Sequence, residues 1–395
     1  MNGLRLIRVL LPMVQAIILL AASVETCDSA RLKSEYFEYH PFGVASVVTE
    51  NDRAYVSATD GVRIYDIKRP KRPQLLGFYK SEAANDIKVE GNYAFVCGGL
   101  INKEKGYLKI LDISSPARIK LAGEALLSHG SVGVEIAKNH AYVSGLGEGL
   151  FIIDVSNKNS PKLVRKANFP RVENPMAVAK IVSRLKKGPK KFPLKLGRTW
   201  WTHIEGNFLY ANDENTGLHV LEISNPKNPI EIGSLIHEFM PKSTQLAVEA
   251  FNDIDVENNI GFITLDNGGM VIVDLQNKNH PIILYHYNPW KGYNWKTSPG
   301  HMIKIEVMGN TAYLTAGEEG LYVMDIKNPR KPNLIEKHAV HQNVGQSWGV
   351  FARNGLVFVT YIAVDPGDKK KNKRKGLKGG WEIFRVVGHR PQTGF

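Results

Sequence analysis

The sequence predicts an all-β protein, a seven-bladed β-propeller of four-stranded antiparallel blades, from three observations. A short motif recurs along the 395-residue chain and consists of Gly, an apolar run and an acidic residue. The acidic residues are Asp66, Asp112, Asp154, Glu222, Asp274 and Asp325. Each copy follows two β-rich runs joined by a Gly-Asn-type turn, as in "IKVEGNYAFVCG". Helical periodicity is almost absent. A repeated meander of about 40 to 50 residues is typical of a propeller blade.

The blades are predicted in order along the chain. Their starts lie near Gly43, Ala84, Ser131, Trp200, Phe251, Met302 and Ser347. The seventh unit has only three strands, and Arg385 stands there in place of the repeated acid. The sequence of residues 31–40 resembles a fourth strand, so we expect this segment to complete the last blade and remove the open sheet edge. Six or eight blades, or a solenoid, are the alternatives.

The repeated acid is expected to be part of the scaffold. It ends the third strand of each unit, before a turn rich in Ser, Asn, Lys and Pro, where a carboxylate can accept backbone N–H bonds. Six carboxylates at one structural place are therefore not six metal ligands. The sequence also has no motif typical of a metal or cofactor site, and we expect neither.

The repeat resembles that of a known family. "GLFIIDVSNKNSP", "GMVIVDLQNKNHP" and "GLYVMDIKNPRKP" are similar to the LVIVD repeat, which forms propellers in exported bacterial and archaeal proteins. The resemblance covers most of the chain from about Gly43 to His389 and implies the fold. It implies no activity, because the family has no shared catalytic motif. The seventh blade departs from the repeat.

The first thirty residues predict export. Arg5 and Arg8 precede an apolar run from Val9 to Leu20, and small residues follow it. This order is that of a secretory signal peptide, so residues 1–23 are expected to be a leader that is cleaved near 23–30. The protein would then be secreted, periplasmic or at the cell surface. An uncleaved anchor is the alternative.

Basic charge is concentrated in two insertions. The net charge is +13 and the pI about 9.4, which favours contact with polyanions. Residues 31–389 are predicted to form one propeller with a tail at 390–395, a basic insertion at 169–199 between blades three and four, and a basic loop at 363–380 in the last blade. Both insertions fall on connections that share one face of a propeller. We expect this face to bind a ligand, with merely solvated runs as the alternative.

Aromatic and charged residues are predicted at the mouth of the central channel, where the innermost strands begin. The candidates for ligand binding there and in the adjoining loops are Trp200, Trp201, Arg198, Asp86, Trp290, Trp295, Lys304 and Trp348. Sugar rings stack on aromatic faces, and their hydroxyl groups bond to polar side chains. The pattern favours an acidic polysaccharide. Simple packing of Trp between blades is the alternative.

Three function classes stay open. The first is a binding or scaffolding module for an acidic ligand. The second is a polysaccharide lyase or glycoside hydrolase, whose catalytic candidates are His203, His301, Tyr293 and Asp253 because these types can supply an acid and a base. The third is a protein–protein scaffold for a cell-surface protein. We expect a monomer that has no specific nucleic-acid recognition and no transmembrane span once the leader is removed.

Overall fold

The structure is a computed structural model that describes residues 31–41, 43–100, 105–146, 148–167, 198–213, 217–235, 251–290, 298–363 and 377–387. The predicted leader, most of both basic insertions and the tail therefore lie outside the described residues. Tyr293 and Trp295 lie outside them as well. Within the described part of the chain, no helix is long and apolar enough to span a membrane.

The described strands form seven antiparallel sheets of four strands each, which confirms the predicted fold class. Blade one has β2 (Val44–Glu50), β3 (Arg53–Ala58), β4 (Gly61–Asp66) and β5 (Gln74–Lys80). Blade two has β6 (Ala84–Glu90), β7 (Tyr93–Gly99), β8 (Gly106–Asp112) and β9 (Lys120–Leu127). Blade three has β10 (Ser131–Ala137), β11 (His140–Gly145), β12 (Gly149–Asp154) and β13 (Lys162–Ala167). Blade four has β14 (Thr199–Glu205), β15 (Phe208–Asp213), β16 (Gly217–Glu222) and β17 (Ile230–Leu235).

The remaining blades follow the same order. Blade five has β18 (Ile254–Glu257), β19 (Ile260–Thr264), β20 (Met270–Asp274) and β21 (Ile282–Tyr287). Blade six has β22 (Ile305–Met308), β23 (Thr311–Thr315), β24 (Leu321–Asp325) and β25 (Asn333–His338). Blade seven has β26 (Gln346–Arg353), β27 (Leu356–Ile362) and β28 (Gly379–Val387), and its outer strand is β1 (Arg31–His40).

The N-terminal strand closes the ring, as the sequence predicts. β1 pairs with β28 from Arg31 opposite Val387 to His40 opposite Gly379. The first strands of neighbouring blades contact one another in the closed series β2, β6, β10, β14, β18, β22, β26 and back to β2. These strands are therefore innermost and surround the central channel.

One face of the ring, here called the bottom face, has connections of constant length. The first and second strands are joined by two residues in every blade, at 51–52, 91–92, 138–139, 206–207, 258–259, 309–310 and 354–355. Asn or Gly supplies the left-handed backbone that such turns need, for example Gly91 at φ 59° and Asn354 at φ 53°. The third and fourth strands are joined by seven residues each, at 67–73, 113–119, 155–161, 223–229, 275–281 and 326–332.

The repeated acid holds each seven-residue turn. In five of them the backbone N–H two residues further on donates to the carboxylate at 2.8 to 2.9 Å, at Asp66, Asp112, Asp154, Asp274 and Asp325. In the sixth, the Ser224 hydroxyl donates to Glu222 at 2.7 Å. The recurrent acids therefore build the scaffold.

The opposite face, here called the top face, has connections of very unequal length. Ala58 and Gly61 are separated by two residues, whereas the strands that end at Ala167 and begin at Thr199 are separated by residues 168–198. The connections at 236–253, 288–304 and 363–378 are also long and also on this face. Variation in length is therefore confined to one side of the molecule.

Neighbouring blades are joined by a repeated hydrogen bond close to the channel. A Thr hydroxyl near the end of the second strand donates to a backbone carbonyl oxygen of the next blade. The pairs are Thr264 with Ile303, Thr315 with Trp348 and Thr360 with Ala45, at 2.8, 2.9 and 3.1 Å. Each bond satisfies buried polar groups in the seam between two blades.

Candidate functional site at the channel mouth

β-Bulges shape the top end of the channel. The first-strand register shifts there in five blades, and the bulged residues are Ala45, Asn85, Val132, Trp200 with Trp201, and Trp348 with Gly349. A bulge leaves its residue outside the regular ladder and re-aims its side chain. Trp200, Trp201 and Trp348, which the sequence places at the mouth, are all bulged residues.

An aromatic plug closes the channel at this level. Trp201 of blade four and Trp348 of blade seven pack edge to face with ring centroids 6.0 Å apart, and Ile303 of blade six completes the cluster. Blades four and seven are not neighbours, so this contact crosses the channel axis. Trp201 is 3% exposed and Trp348 is 8% exposed. Both indoles therefore bury most of their surface against each other and their neighbours, and a ligand role for them stays a prediction.

A charged layer lies around the plug and below it. Asp86, Asp253 and Lys304 stand at equivalent positions, four residues before the end of the first strand, and Lys304 Nζ lies 4.9 Å from the ring centroid of Trp201. Two residues further along the first strands come Lys88, Glu135, His203, Asp255 and Glu306. The layer thus holds five carboxyl groups, two lysines and one histidine.

Contacts between blades use these charges. The Lys88 ammonium lies 2.8 Å from the Glu135 carboxylate, and His203 Nδ1 lies 3.3 Å from Asp255. The Asp253 carboxylate accepts the Ile305 N–H of the next blade at 3.1 Å. Each contact joins first strands of adjacent blades, so the layer helps to hold the ring together.

Burial raises the pKa of two acids in this layer. Desolvation raises the pKa of Asp253 to about 6, although the nearby Lys304 ammonium opposes the shift. Desolvation also raises the pKa of Glu306 well above its usual range, and Asp255 adds to the effect. Protonation of these acids therefore neutralises part of the excess negative charge of the layer.

Substitution of Asp253 by Asn should stabilise the protein at neutral pH. An acid whose folded pKa exceeds its unfolded value stabilises the fold when protonated, and this contribution is lost as pH rises from about 4 to about 6. Asn keeps an oxygen that can accept the Ile305 N–H. We expect Asp253→Asn to raise the free energy of unfolding at pH 7.5 by up to about 3 kcal/mol, and by much less at pH 4.5, in urea titrations.

Asp112→Asn is the matched control for that experiment. Hydrogen bonds from Ser114 lower the pKa of Asp112, so its contribution is present above its unfolded pKa and is lost as pH falls through its folded pKa. The control should therefore lose stability at neutral pH. Equal responses of the two variants would contradict the assignment of Asp253.

The other predicted residues lie away from this layer. His301 Nδ1 lies 3.5 Å from Glu318 on the top rim, beside Gly317. Trp290 is 3% exposed and its indole N–H donates to Glu319 at 3.2 Å, in the core between blades five and six. Arg198 forms an isolated bridge with Leu146. The structure thus brings Asp86, Asp253, Lys304, Trp201, Trp348 and His203 to one channel, whereas Trp290 packs in a core between two blades.

Sequence reasoning missed the deeper half of the layer. Lys88, Asp255 and Glu306 each stand two residues after a residue predicted for the mouth. Since alternate residues of a strand lie on the same side, this spacing was the available signal. It is visible in "NDIKVE", "NDIDVE" and "IKIEV".

Blades three and four carry several buried polar atoms near the channel that have no hydrogen-bond partner. They are Ser144 Oγ in blade three, and Thr199 Oγ1, Thr202 Oγ1, Trp201 Nε1 and both polar side-chain atoms of Asn212 in blade four. Ser144 and Asn212 occupy the second-strand position that Thr264 fills in blade five. Such groups are usually satisfied by ordered water.

Comparison with solved structures finds the same fold at low sequence identity. The WD40 β-propeller domain of Doa1 is 11% identical with a TM-score of 0.59, and 90% of this chain and 97% of that chain are covered. The WD40 repeats of RRP9 are 9% identical with a TM-score of 0.61, at 90% and 97% coverage. The β-propeller domain of Cps50 (Swd1) from Myceliophteria thermophila is 10% identical with a TM-score of 0.62, at 90% and 100% coverage. These likenesses concern the fold alone.

Comparison by sequence identifies the repeat. No curated protein matches the chain. The family model described as the LVIVD repeat matches residues 82–126, 131–168, 197–236, 251–289 and 299–340, which together make up just over half of the chain. These ranges correspond to blades two to six, whereas blades one and seven lie outside them. The chain belongs to the LVIVD repeat family.

Proposed function

We propose that this propeller is an exported binding module that holds an acidic polysaccharide across its top face. The observation that carries the proposal is where the excess positive charge lies. The connection at 168–198 contains nine Lys or Arg and one Glu, and the connection at 363–378 contains seven and two Asp. Their net charges of +8 and +5 equal the +13 of the whole chain, so the remainder is balanced.

The positions of the two connections favour a long ligand. One joins Ala167 to Thr199 at the seam between blades three and four, and the other joins Ile362 to Gly379 within blade seven. On a ring of seven blades, that seam lies opposite blade seven. A chain that contacts both basic connections would therefore pass over the plug of Trp201 and Trp348. A polymer with repeated negative charges can do this, whereas a small anion cannot.

The contacts of the two candidate histidines also favour binding over catalysis. His203 lies two residues deeper than Trp201 on its strand and pairs with Asp255, while His301 pairs with Glu318 on the rim. An acid and a base for one sugar would have to face the same atoms. The contacts of these two histidines lead to different carboxylates in different blades.

Removal of the charge in blade seven should weaken polyanion binding. The variant replaces Lys369, Lys370, Lys371, Lys373, Arg374 and Lys375 with Gln. Binding of polygalacturonate and heparin, measured by isothermal titration calorimetry over a salt series, should weaken at least tenfold at about 0.1 M salt. The dependence of affinity on salt should also become shallower, because fewer counterions are released.

Two controls make this test specific. Neutral dextran should not bind at all. A second variant removes six cations from the bottom face instead, with Gln at Lys68, Arg69, Lys71, Arg72, Lys327 and Lys331, and should bind polygalacturonate as the parent does. Equal loss in both variants, or no loss in the first, would exclude the top face as the binding surface.

A further inference from the structure

The bottom face has a strongly basic sector that the proposed function does not use. The turn at 67–73 contains Lys68, Arg69, Lys71 and Arg72, and the turn at 326–332 contains Lys327, Arg330 and Lys331. All seven side chains are exposed, and neither turn contains an acid. These two turns belong to blades one and six, which flank blade seven.

The equivalent turns of blades two to five are different. Each contains one cation, and these are Arg118, Lys158, Lys227 and Lys278. Lys158 and Lys278 are half-buried, and each ammonium donates back to a carbonyl oxygen of its own turn. The turns share one length and one fold, so the extra charge on blades one and six serves no need of the scaffold.

The acids near this sector neutralise little of it. Asp66 and Asp325 end the preceding strands, and their carboxylates accept the backbone N–H groups of Lys68 and Lys327 at 2.9 Å. Asp52 is the one acid in the two-residue turns of the bottom face. Glu50 at the end of β2 is a fourth acid, and seven cations against four acids leave a net positive surface.

The N-terminal segment joins the protein within this sector. Arg31, which is exposed, pairs with Val387, and the neighbouring Val386 N–H donates to the Gly355 carbonyl oxygen in a bottom-face turn. β1 therefore begins on the bottom face, between the two basic turns, and Arg31 adds a further exposed cation there.

We propose that the bottom face at blades six, seven and one docks on a bilayer that contains anionic lipid. Clustered lysines and arginines are attracted to acidic headgroups, and each adds to the affinity within a Debye length of the surface. The two turns have the same length and each contains two prolines, so their cations are held on one face of the ring. An array of exposed cations spread over neighbouring blades suits the surface of an anionic bilayer. The top face is then directed away from the membrane.

Binding to lipid vesicles tests this proposal with the full chain. Vesicles of phosphatidylcholine alone are compared with vesicles that contain phosphatidylglycerol in addition, in co-sedimentation at low and high salt. The variant replaces Lys68, Arg69, Lys71, Arg72, Lys327, Arg330 and Lys331 with Gln. We expect the parent to prefer the anionic vesicles, and the variant to lose at least tenfold in partitioning to them, with little change on phosphatidylcholine.

A matched control keeps the outcome specific. Replacing the exposed cations Arg118, Lys120 and Lys227 with Gln should leave vesicle binding nearly unchanged, whereas Lys327, Arg330 and Lys331 with Gln should reduce it. All altered side chains are on the surface, and equal thermal unfolding midpoints show that the fold is intact. Equal losses in the two triple variants, or binding that ignores the anionic lipid, would overturn the proposal.

The two proposals fail separately. The blade-seven variant used for polygalacturonate binding should retain its affinity for anionic vesicles, because its cations are on the opposite face. If that variant instead loses vesicle binding while the bottom-face variant keeps it, the membrane surface is the top face. If heparin in solution binds the bottom face as tightly as vesicles do, the sector recognises soluble polyanions rather than lipid.

Discussion

Deletion of residues 31–40 should abolish the native ring. Without β1, the strand β28 becomes an open edge and blade seven keeps three strands. We expect the truncated chain to lose more than about 5 kcal/mol of unfolding free energy, and to aggregate through its open edge. Far-ultraviolet circular dichroism with thermal melting, together with size-exclusion chromatography, would measure both effects.

The size of this effect follows from what β1 satisfies. The Glu38 carboxylate accepts the indole N–H of Trp381 at 3.1 Å and the hydroxyl of Tyr65 at 3.2 Å, which lie in blades seven and one. Ser34 donates to Glu382, a carboxylate that is 2% exposed and also accepts from Tyr361 at 2.7 Å. Loss of the strand would leave these buried groups with fewer partners, in addition to the ladder bonds of the strand itself.

Complementation distinguishes a missing strand from general damage. A synthetic peptide of residues 31–41 added to the truncated chain should restore the thermal transition, because it supplies Leu32, Ser34 and Glu38 in the correct register. A peptide with the same residues in scrambled order should not. Rescue by the scrambled peptide, or native stability without any peptide, would contradict closure by β1.

Substitution of Gly77 by Ala should destabilise the seam between blades one and two by about 3 kcal/mol or more. Gly77 lies in the outer strand of blade one, and a Cβ atom there would lie 1.8 Å from the carbonyl oxygen of Pro116 in the next blade. The added Cβ would clash with backbone atoms, which cannot rotate away as a side chain can. The two blades would therefore have to move apart to remove the clash. Urea unfolding of the purified variant would measure the loss.

Gly91→Ala is the matched control for this substitution. Gly91 lies in a two-residue turn at φ 59°, and an added Cβ would have no atom within 4 Å. Ala should therefore cost only about 1 kcal/mol, from the left-handed backbone. If Gly77→Ala were as mild as Gly91→Ala, the blades would not be in close contact at this point.

The fold was predictable because its signals are local and repeated. The acid that ends each third strand, the Gly-Asn type turns and the β-branched runs occur in every blade or nearly so, and each describes contacts within one blade. The role of residues 31–40 also followed from likeness to other fourth strands. Contacts between blades were not predictable in this way, since Gly77 and Pro116 meet only because two blades stack.

The candidate site was predictable only at its rim. Alignment of the blades placed Trp201, Lys304 and Trp348 at the mouth, and the structure does bring them together. It could not show that Trp201 and Trp348 meet across the axis, because this contact depends on the bulges that re-aim both indoles, and the repeat does not specify bulges. His203 and His301 looked like partners because each lies near the start of an inner strand, although their contacts lie in separate places.

The direction of β1 has a mechanical consequence. The strand runs from Arg31 at the bottom face to His40 near the top face, and it is bonded to β28 along its whole length. A force that pulls the N-terminal end of β1 away from the top face would therefore act along the strand. Interstrand bonds perpendicular to that pull share the load together in shear, whereas a strand pulled from the side would peel away one bond at a time.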